Sequence, residues 1–152
     1  MAQRLASAQA APKAYQAMLT LERFVHECGL EAPLIELVKL RASYMNGCAY
    51  CVDMHTKDAR AAGETEQRLF AVPVWRETPF FTPRERAALA WTEAVTEIGR
   101  GGVSDAVYDE ARKHFTEPEL VNLTMTVITI NGWNRLAVSF HADVGGYQPK
   151  SR

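Results

Sequence analysis

An all-α fold is what this sequence predicts, on three observations. Apolar residues recur at helical spacing along most of the chain. Helix starts and stops punctuate it, with the capping-box patterns "TPRE" and "TEPE" and with Gly or Asn-Gly closing the apolar runs. No turn-bounded run of alternating apolar and polar residues marks a strand.

The elements follow in order. Pro12 opens a first helix, on which Tyr15, Met18, Leu21, Val25 and Cys28 lie near a helical period, and Gly29 closes it. Pro33 opens a second, "PLIELVKLRASYM", closed by Asn46-Gly47. A third runs from Cys48 to about Ala62, with Gly63 placed to end it in the left-handed conformation. A fourth, around "TEQRLFAVPVW", is interrupted by Pro73. Thr82 as N-cap, Pro83 at the first helical position and Glu85 at the third start a fifth helix that runs to about Arg100. Ser104 caps a further segment. Thr116 and Glu119 repeat the capping box and open the longest apolar stretch, Leu120 to about Phe140. That stretch is rich in Thr, Val and Ile, which favour strands, but its length and its N-terminal cap favour helix. Apolar on much of its circumference, it needs burial on most sides, and subunit contacts are a natural way to provide it. A homo-oligomer is therefore expected. A faint echo runs between "ELVKL", "NG" and His55 and a second set, "ELVNL", "NG" and His141.

The bulk properties exclude several function classes. The 152 residues fit one domain, 1–152, and 47% of them are hydrophobic, enough for a core without disulfide staples. A net charge of -1, with both signs interspersed, leaves no basic patch for nucleic acid. No apolar run reaches the roughly 18 residues needed to cross a bilayer, and the start "MAQRLASAQAAPKAYQAM" lacks a secretory apolar region. Three cysteines are an odd number, unlike a secreted disulfide framework. A cytoplasmic location is expected, where a close Cys pair is catalytic or metal-binding more often than structural.

Such a pair stands in "MNGCAYCVDMHTKDARAAGE". Gly47 ends one helix, so Cys48 and Cys51 fall in the first turn of the next. Unpaired N–H groups and the positive end of the helix dipole favour a thiolate there. Residues three apart share a face and can form a disulfide. His55 lies one turn beyond Cys51 on that face, placed to exchange protons with a thiol. Three readings stay open on these residues alone: a dithiol redox centre, a zinc site using Cys48, Cys51 and His55 with Glu36 or Cys28, and a buried core pair. The zinc reading lacks the second ligand pair usual in structural sites, and a thioredoxin fold lacks the strands it needs. Glu36 interrupts the apolar run "LIELVKL" on the preceding helix. It is either a solvated residue or an i, i+3 partner for Lys39, or else it is packed near His55 to orient the imidazole. Which sulfur attacks is also open: the helix start favours Cys48, and closeness to His55 favours Cys51.

Glu36, eleven intervening residues and then Cys48-x-x-Cys51-x-x-x-His55 resemble the signature of the alkylhydroperoxidase D (AhpD)-like group within the carboxymuconolactone decarboxylase family. The likeness covers "LVKLRASYMNGCAYCVDMHTKDARAAGETEQRL" and "FTPRERAALAWTEAVT" and, more loosely, "INGWNRLAVSFH", from Leu34 to His141. The resemblance implies a helical protein assembling as trimers or hexamers. It also implies a peroxidase that uses thiols and needs no metal, haem or flavin. Cys51 would attack the hydroperoxide and Cys48 would resolve the sulfenic acid to a disulfide, with His55 and Glu36 as proton relay. A thiol reductant, lipoyl-bearing or thioredoxin-like, would regenerate the pair. One departure matters: members of the family can carry a further His between the cysteines, where this chain has Tyr50, a poor proton carrier at neutral pH.

The remaining chemistry-bearing residues read as structural. Cys28 is expected in the core, and His26, His114 and His141 stand alone. "NGWNR" can line a pocket or a subunit interface, with Arg135 meeting a carboxylate. Met45 and Met54 flank the cysteines and can form an apolar pocket or pack helices. Two other functions compete: a lactone-acid lyase like the decarboxylase branch of the family, and a non-enzymatic metal-binding or redox-sensing oligomer.

Overall fold

A computed structural model describes residues 2–149, and among them every regular element is helical. The helices are α1 (Ser7–Ala10), α2 (Pro12–Glu27), α3 (Ala32–Met45), α4 (Ala49–Ala61), α5 (Glu66–Ala71), α6 (Pro83–Thr96), α7 (Asp105–His114) and α8 (Glu117–Phe140). Short 3₁₀ turns follow α5 (Val72–Glu77) and α6 (Ile98–Arg100). The expected starts at Thr82, Ser104 and Thr116 all hold. Each side chain accepts a backbone N–H three residues on, and Thr82 and Thr116 complete reciprocal capping boxes.

Two boundaries differ from the expectation, and the interruption at Pro73 holds. A four-residue helix precedes Pro12, too short to leave a periodic signal. The helix from Thr82 stops at Thr96, and Arg100 belongs to the separate 3₁₀ turn. Beyond α5 the chain tightens into a 3₁₀ turn through Pro73, whose missing N–H cannot continue an α-helix.

Helix α3 is the centre of the fold, packed against α4, α6 and α8. One of its faces joins Val25, Trp91, Phe115, Leu123 and Val127 in a core that uses Leu34, Ile35 and Val38. Its other face, Leu37 and Leu40, joins Ala59, Leu69, Val72, Trp75, Phe81 and Leu89 in a second. A side chain of this size contributes about 1.5–3 kcal/mol when fully buried, so α3 is held on both sides.

Helix α8 shows why its β-prone composition loses to helix. Thr124, Thr126 and Thr129 each donate their hydroxyl to the carbonyl four residues back, at 2.8, 2.9 and 2.8 Å. Their polar atoms are thereby satisfied inside the helix. Helix α8 is not enclosed by its own chain, since Val121, Ile128 and Val138 remain exposed.

The echo between the two "NG" pairs does not extend to structure. Asn46-Gly47 ends α3, with Gly47 at φ 63°. Asn131-Gly132 lies inside α8, where Gly132 faces the Met18 side chain of α2. His141 caps α8 in the left-handed conformation, whereas His55 sits within α4.

Candidate active site

The site begins with a junction. At the end of α3, the Gly47 N–H donates to the Tyr44 carbonyl and the Cys48 N–H to that of Ser43, at 3.2 and 3.0 Å. These two bonds form a Schellman ending, which needs a left-handed residue and finds it in Gly47. The next helix starts at once. Cys48 is its N-cap residue, and the Cys48 sulfur accepts the Cys51 N–H at 3.3 Å. Cys48 therefore stands one position outside the helix, not within the first turn as expected. Its sulfur takes the place of the usual Ser or Asp oxygen, so an N–H and the positive end of α4 would stabilise a Cys48 thiolate.

Cys48 and Cys51 are bonded to each other as a disulfide, with their Cα atoms 5.3 Å apart. Both are buried, each 1% exposed. His55, one turn on, is buried too, and its Nδ1 lies 2.9 Å from Glu36 Oε2 of α3. Burial pushes the Glu36 carboxyl up. The hydrogen bond from His55, and the charges of His55, Lys39 and His26, outweigh it and hold the carboxyl below its ordinary range. An ionised carboxylate only accepts, so Nδ1–H donates to Glu36 and Nε2 is left to exchange protons. Of the expectations for Glu36, pairing with His55 holds and pairing with Lys39 does not.

Lys39 is turned elsewhere. It is 1% exposed, and its ammonium donates to Glu22 of α2. Glu22 also meets His26 Nε2 at 2.9 Å and accepts the Trp133 indole N–H of α8 at 2.9 Å. Burial raises the Glu22 carboxyl, but His26 and Lys39 bring it down to about 2. This hub was not foreseen. The one signal for it was a lysine inside an apolar helix face, which needs a buried counter-charge without saying where that charge lies in the sequence.

A cavity of about 640 Å³ opens on this group, and Cys51, His55 and Glu36 line it while Cys48 does not. Tyr15, Leu19, Tyr50, Met54, Trp133 and Leu136 supply most of its apolar wall. The segments before α1 and after α8 close its sides, through Gln3 and through Asp143 and Tyr147. The Tyr147 hydroxyl donates to Asp58 at 2.7 Å, and Lys57 holds the Tyr147 carbonyl at 3.0 Å. Burial pushes the Tyr50 phenol above its ordinary value, which makes it a still poorer proton carrier at neutral pH.

The other expectations divide. Trp133 of "NGWNR" lines the cavity, but Arg135 donates to the Asn131 carbonyl and side-chain oxygen and not to a carboxylate. Met54 lines the cavity, and Met45 is not among its lining residues. Cys28 packs against the core and donates to the Val25 carbonyl at 3.1 Å, away from the pair. His114 meets Glu110 at 3.3 Å on the surface. Glu36, His55 and Asp58 present ligand-type atoms within 4.8 Å of one another. The bonds from His55 to Glu36 and from Tyr147 to Asp58 already account for that cluster.

Residues 9–94 match the model of the carboxymuconolactone decarboxylase family. The protein YdfG of Bacillus subtilis (strain 168), which is uncharacterised, is 40% identical over 91% of this chain and 95% of its own. A crystal structure from Agrobacterium tumefaciens, of a protein of unknown function assigned provisionally to antioxidant defence as AhpD, is 44% identical. It superposes with a TM-score of 0.93 over 96% of this chain and 100% of that one. The debrominase Bmp8, solved with 2,3,4-tribromopyrrole, has a TM-score of 0.82 over 92% of this chain and 75% of its own, at 16% identity. That last likeness is one of fold alone.

Proposed function

The chain belongs to the carboxymuconolactone decarboxylase family and its fold is AhpD-like, and from that premise we propose that it is a thiol-dependent peroxidase that reduces organic hydroperoxides. One observation carries the reading: Cys51, paired with Cys48, faces a substrate-sized cavity beside a histidine held by a partly buried carboxylate.

In the reduced enzyme the Cys51 thiolate attacks the terminal oxygen of R–O–OH. An S–O bond forms, the O–O bond breaks, and RO⁻ leaves with a proton from His55. The sulfur is oxidised by two electrons and the peroxide is reduced to an alcohol. Cys48 then attacks the Cys51 sulfenic acid, an S–S bond forms, and water leaves. An external dithiol returns both cysteines to thiols and is itself oxidised to a disulfide. Its first thiolate attacks Cys51, the sulfur that faces the cavity, and Cys48 departs as a thiolate onto its N-cap N–H.

The same proposal includes no metal, haem or flavin, a lipoyl-bearing or thioredoxin-like reductant, a cytoplasmic setting that keeps thiols reduced, and a homo-oligomer, trimeric or hexameric. The exposed Val121, Ile128 and Val138 of α8 support the last of these. No described helix is long and apolar enough to cross a membrane. A lactone-acid lyase is disfavoured, because Glu22, Glu36, Asp58 and Asp143 all line the cavity and would repel an acid substrate.

The test is direct. Reduced protein is mixed with cumene hydroperoxide while peroxide and free thiols are followed. Both are expected to fall together, one disulfide per peroxide. If neither falls faster than in a Cys51→Ser control, the proposal fails.

A further inference from the structure

We infer that the cavity selects uncharged hydroperoxides with an aromatic or branched apolar body, and discriminates against hydrogen peroxide and against hydroperoxides that carry a carboxylate. The inference rests on the peroxidase reading and adds to it the class of substrate.

Size is the first argument. A cavity of about 640 Å³ lies within the range that holds small organic ligands. It is far larger than hydrogen peroxide requires. Such a site gives a small polar oxidant few contacts, so little binding energy aligns it with Cys51.

The wall is the second. Tyr15 and Trp133 meet edge to face, with centroids 5.1 Å apart and planes at 65°. The indole N–H is already bonded to Glu22 at 2.9 Å. The Trp133 ring is thereby fixed in place with its polar group satisfied, and what it presents to a ligand is apolar. Leu19, Met54 and Leu136 extend that surface.

Charge is the third. Four carboxylates line the cavity, those of Glu22, Glu36, Asp58 and Asp143. Among the described lining residues Lys39 is the one lysine or arginine, and its ammonium is bonded to Glu22. His26 is likewise bonded to Glu22, and His55 to Glu36. A substrate carboxylate would lose its water, find no uncommitted cation and meet like charge. An ester of the same shape meets none of these penalties.

The test is a matched set on the pre-reduced full-length chain, in single turnover so that no reductant chooses the outcome. The substrates are cumene hydroperoxide, its para-carboxylate, the methyl ester of that acid, and hydrogen peroxide. The rate constant of thiol oxidation is read for each at low ionic strength. Cumene hydroperoxide and the ester are expected within about threefold of each other, and the carboxylate and hydrogen peroxide at least about tenfold slower. Added salt narrows the gap between ester and acid, because it screens the carboxylates. Replacing Asp58→Asn and Asp143→Asn together narrows it as well, by speeding the acid. An acid as fast as its ester overturns the charge selection, and hydrogen peroxide as fast as cumene hydroperoxide overturns the size selection, both with the peroxidase reading intact. Thiols untouched by all four substrates overturn the peroxidase reading itself.

Discussion

At the residue scale the two sulfurs differ in surroundings, and the proposed peroxidase cycle uses that difference to give them different work. Cys51 lines the cavity, while Cys48 lies behind it with a backbone N–H on its sulfur. A Cys48→Ser variant is therefore expected to consume about one equivalent of hydroperoxide and stop, leaving a sulfenic acid on Cys51. Dimedone trapping with mass analysis reads which sulfur is modified, and an adduct on Cys48 of the Cys51→Ser variant instead would reverse the order. Glu36→Gln tests the relay. An amide can still accept a hydrogen bond but cannot balance an imidazolium, so peroxide consumption should fall at least about tenfold. A rate unchanged between pH 6 and 8 would remove Glu36 from the relay. Spacing alone put His55 on the face of Cys51 but left Glu36 between solvent, Lys39 and His55; the likeness to the AhpD-like signature pointed to His55, and the 2.9 Å contact agrees with it. Spacing was not enough to find Glu22, which reaches the site from α2, or to join it to Trp133 of α8.

At the scale of elements, Glu22 ties three helices together through His26 on its own α2, Lys39 on α3 and Trp133 on α8. Its carboxyl is held at about 2 in the folded chain, against 4.5 for an ordinary one. A depressed carboxyl stabilises the fold above its unfolded value, and that contribution is lost as pH falls from about 4.5 towards 2. At neutral pH it amounts to about 3 kcal/mol at most. Glu22→Gln should therefore lower the urea midpoint strongly at pH 7, and the gap to the native chain should narrow as pH falls below 4.5 and close only towards pH 2. A gap that stays constant with pH would mean that shape, and not charge, holds the hub. The junction between α3 and α4 gives a second test. Gly47 is left-handed with open space where a side chain would go, so Gly47→Ala is expected to destabilise by about 1–2 kcal/mol through the backbone alone. Urea unfolding with an unchanged slope would show it. That junction was legible because Asn-Gly is a local signal. Helix α1 and the 3₁₀ turns were not, since short elements are set by what they pack against.

At the scale of the whole molecule, the all-α class was legible from caps and periodicity, and the cavity was not. Its walls come from both ends of the chain, through Gln3 and Tyr147, and no spacing in the sequence joins residues that far apart. The apolar length of α8 carried a further expectation, and its own chain meets that expectation only partly. Leu120, Leu123, Val127 and Ile130 are buried within the chain, but Val121 is 62% exposed and Ile128 48%. Val138 continues the exposed side towards the C-terminal end of the helix. Single exposed apolar residues need no explanation, but several along one helix mark a surface that another copy can cover. Sedimentation equilibrium at micromolar concentration is accordingly expected to give three or six times the 17.0 kDa of the chain. Val121→Lys with Ile128→Lys places two charges on that surface, and burying them unpaired is unfavourable enough to dissociate the assembly. The variant should sediment as a 17.0 kDa species with its helical circular dichroism intact. Assembly that survives both lysines would place the interface on another face, and a native chain that sediments at 17.0 kDa would leave the α8 surface to water.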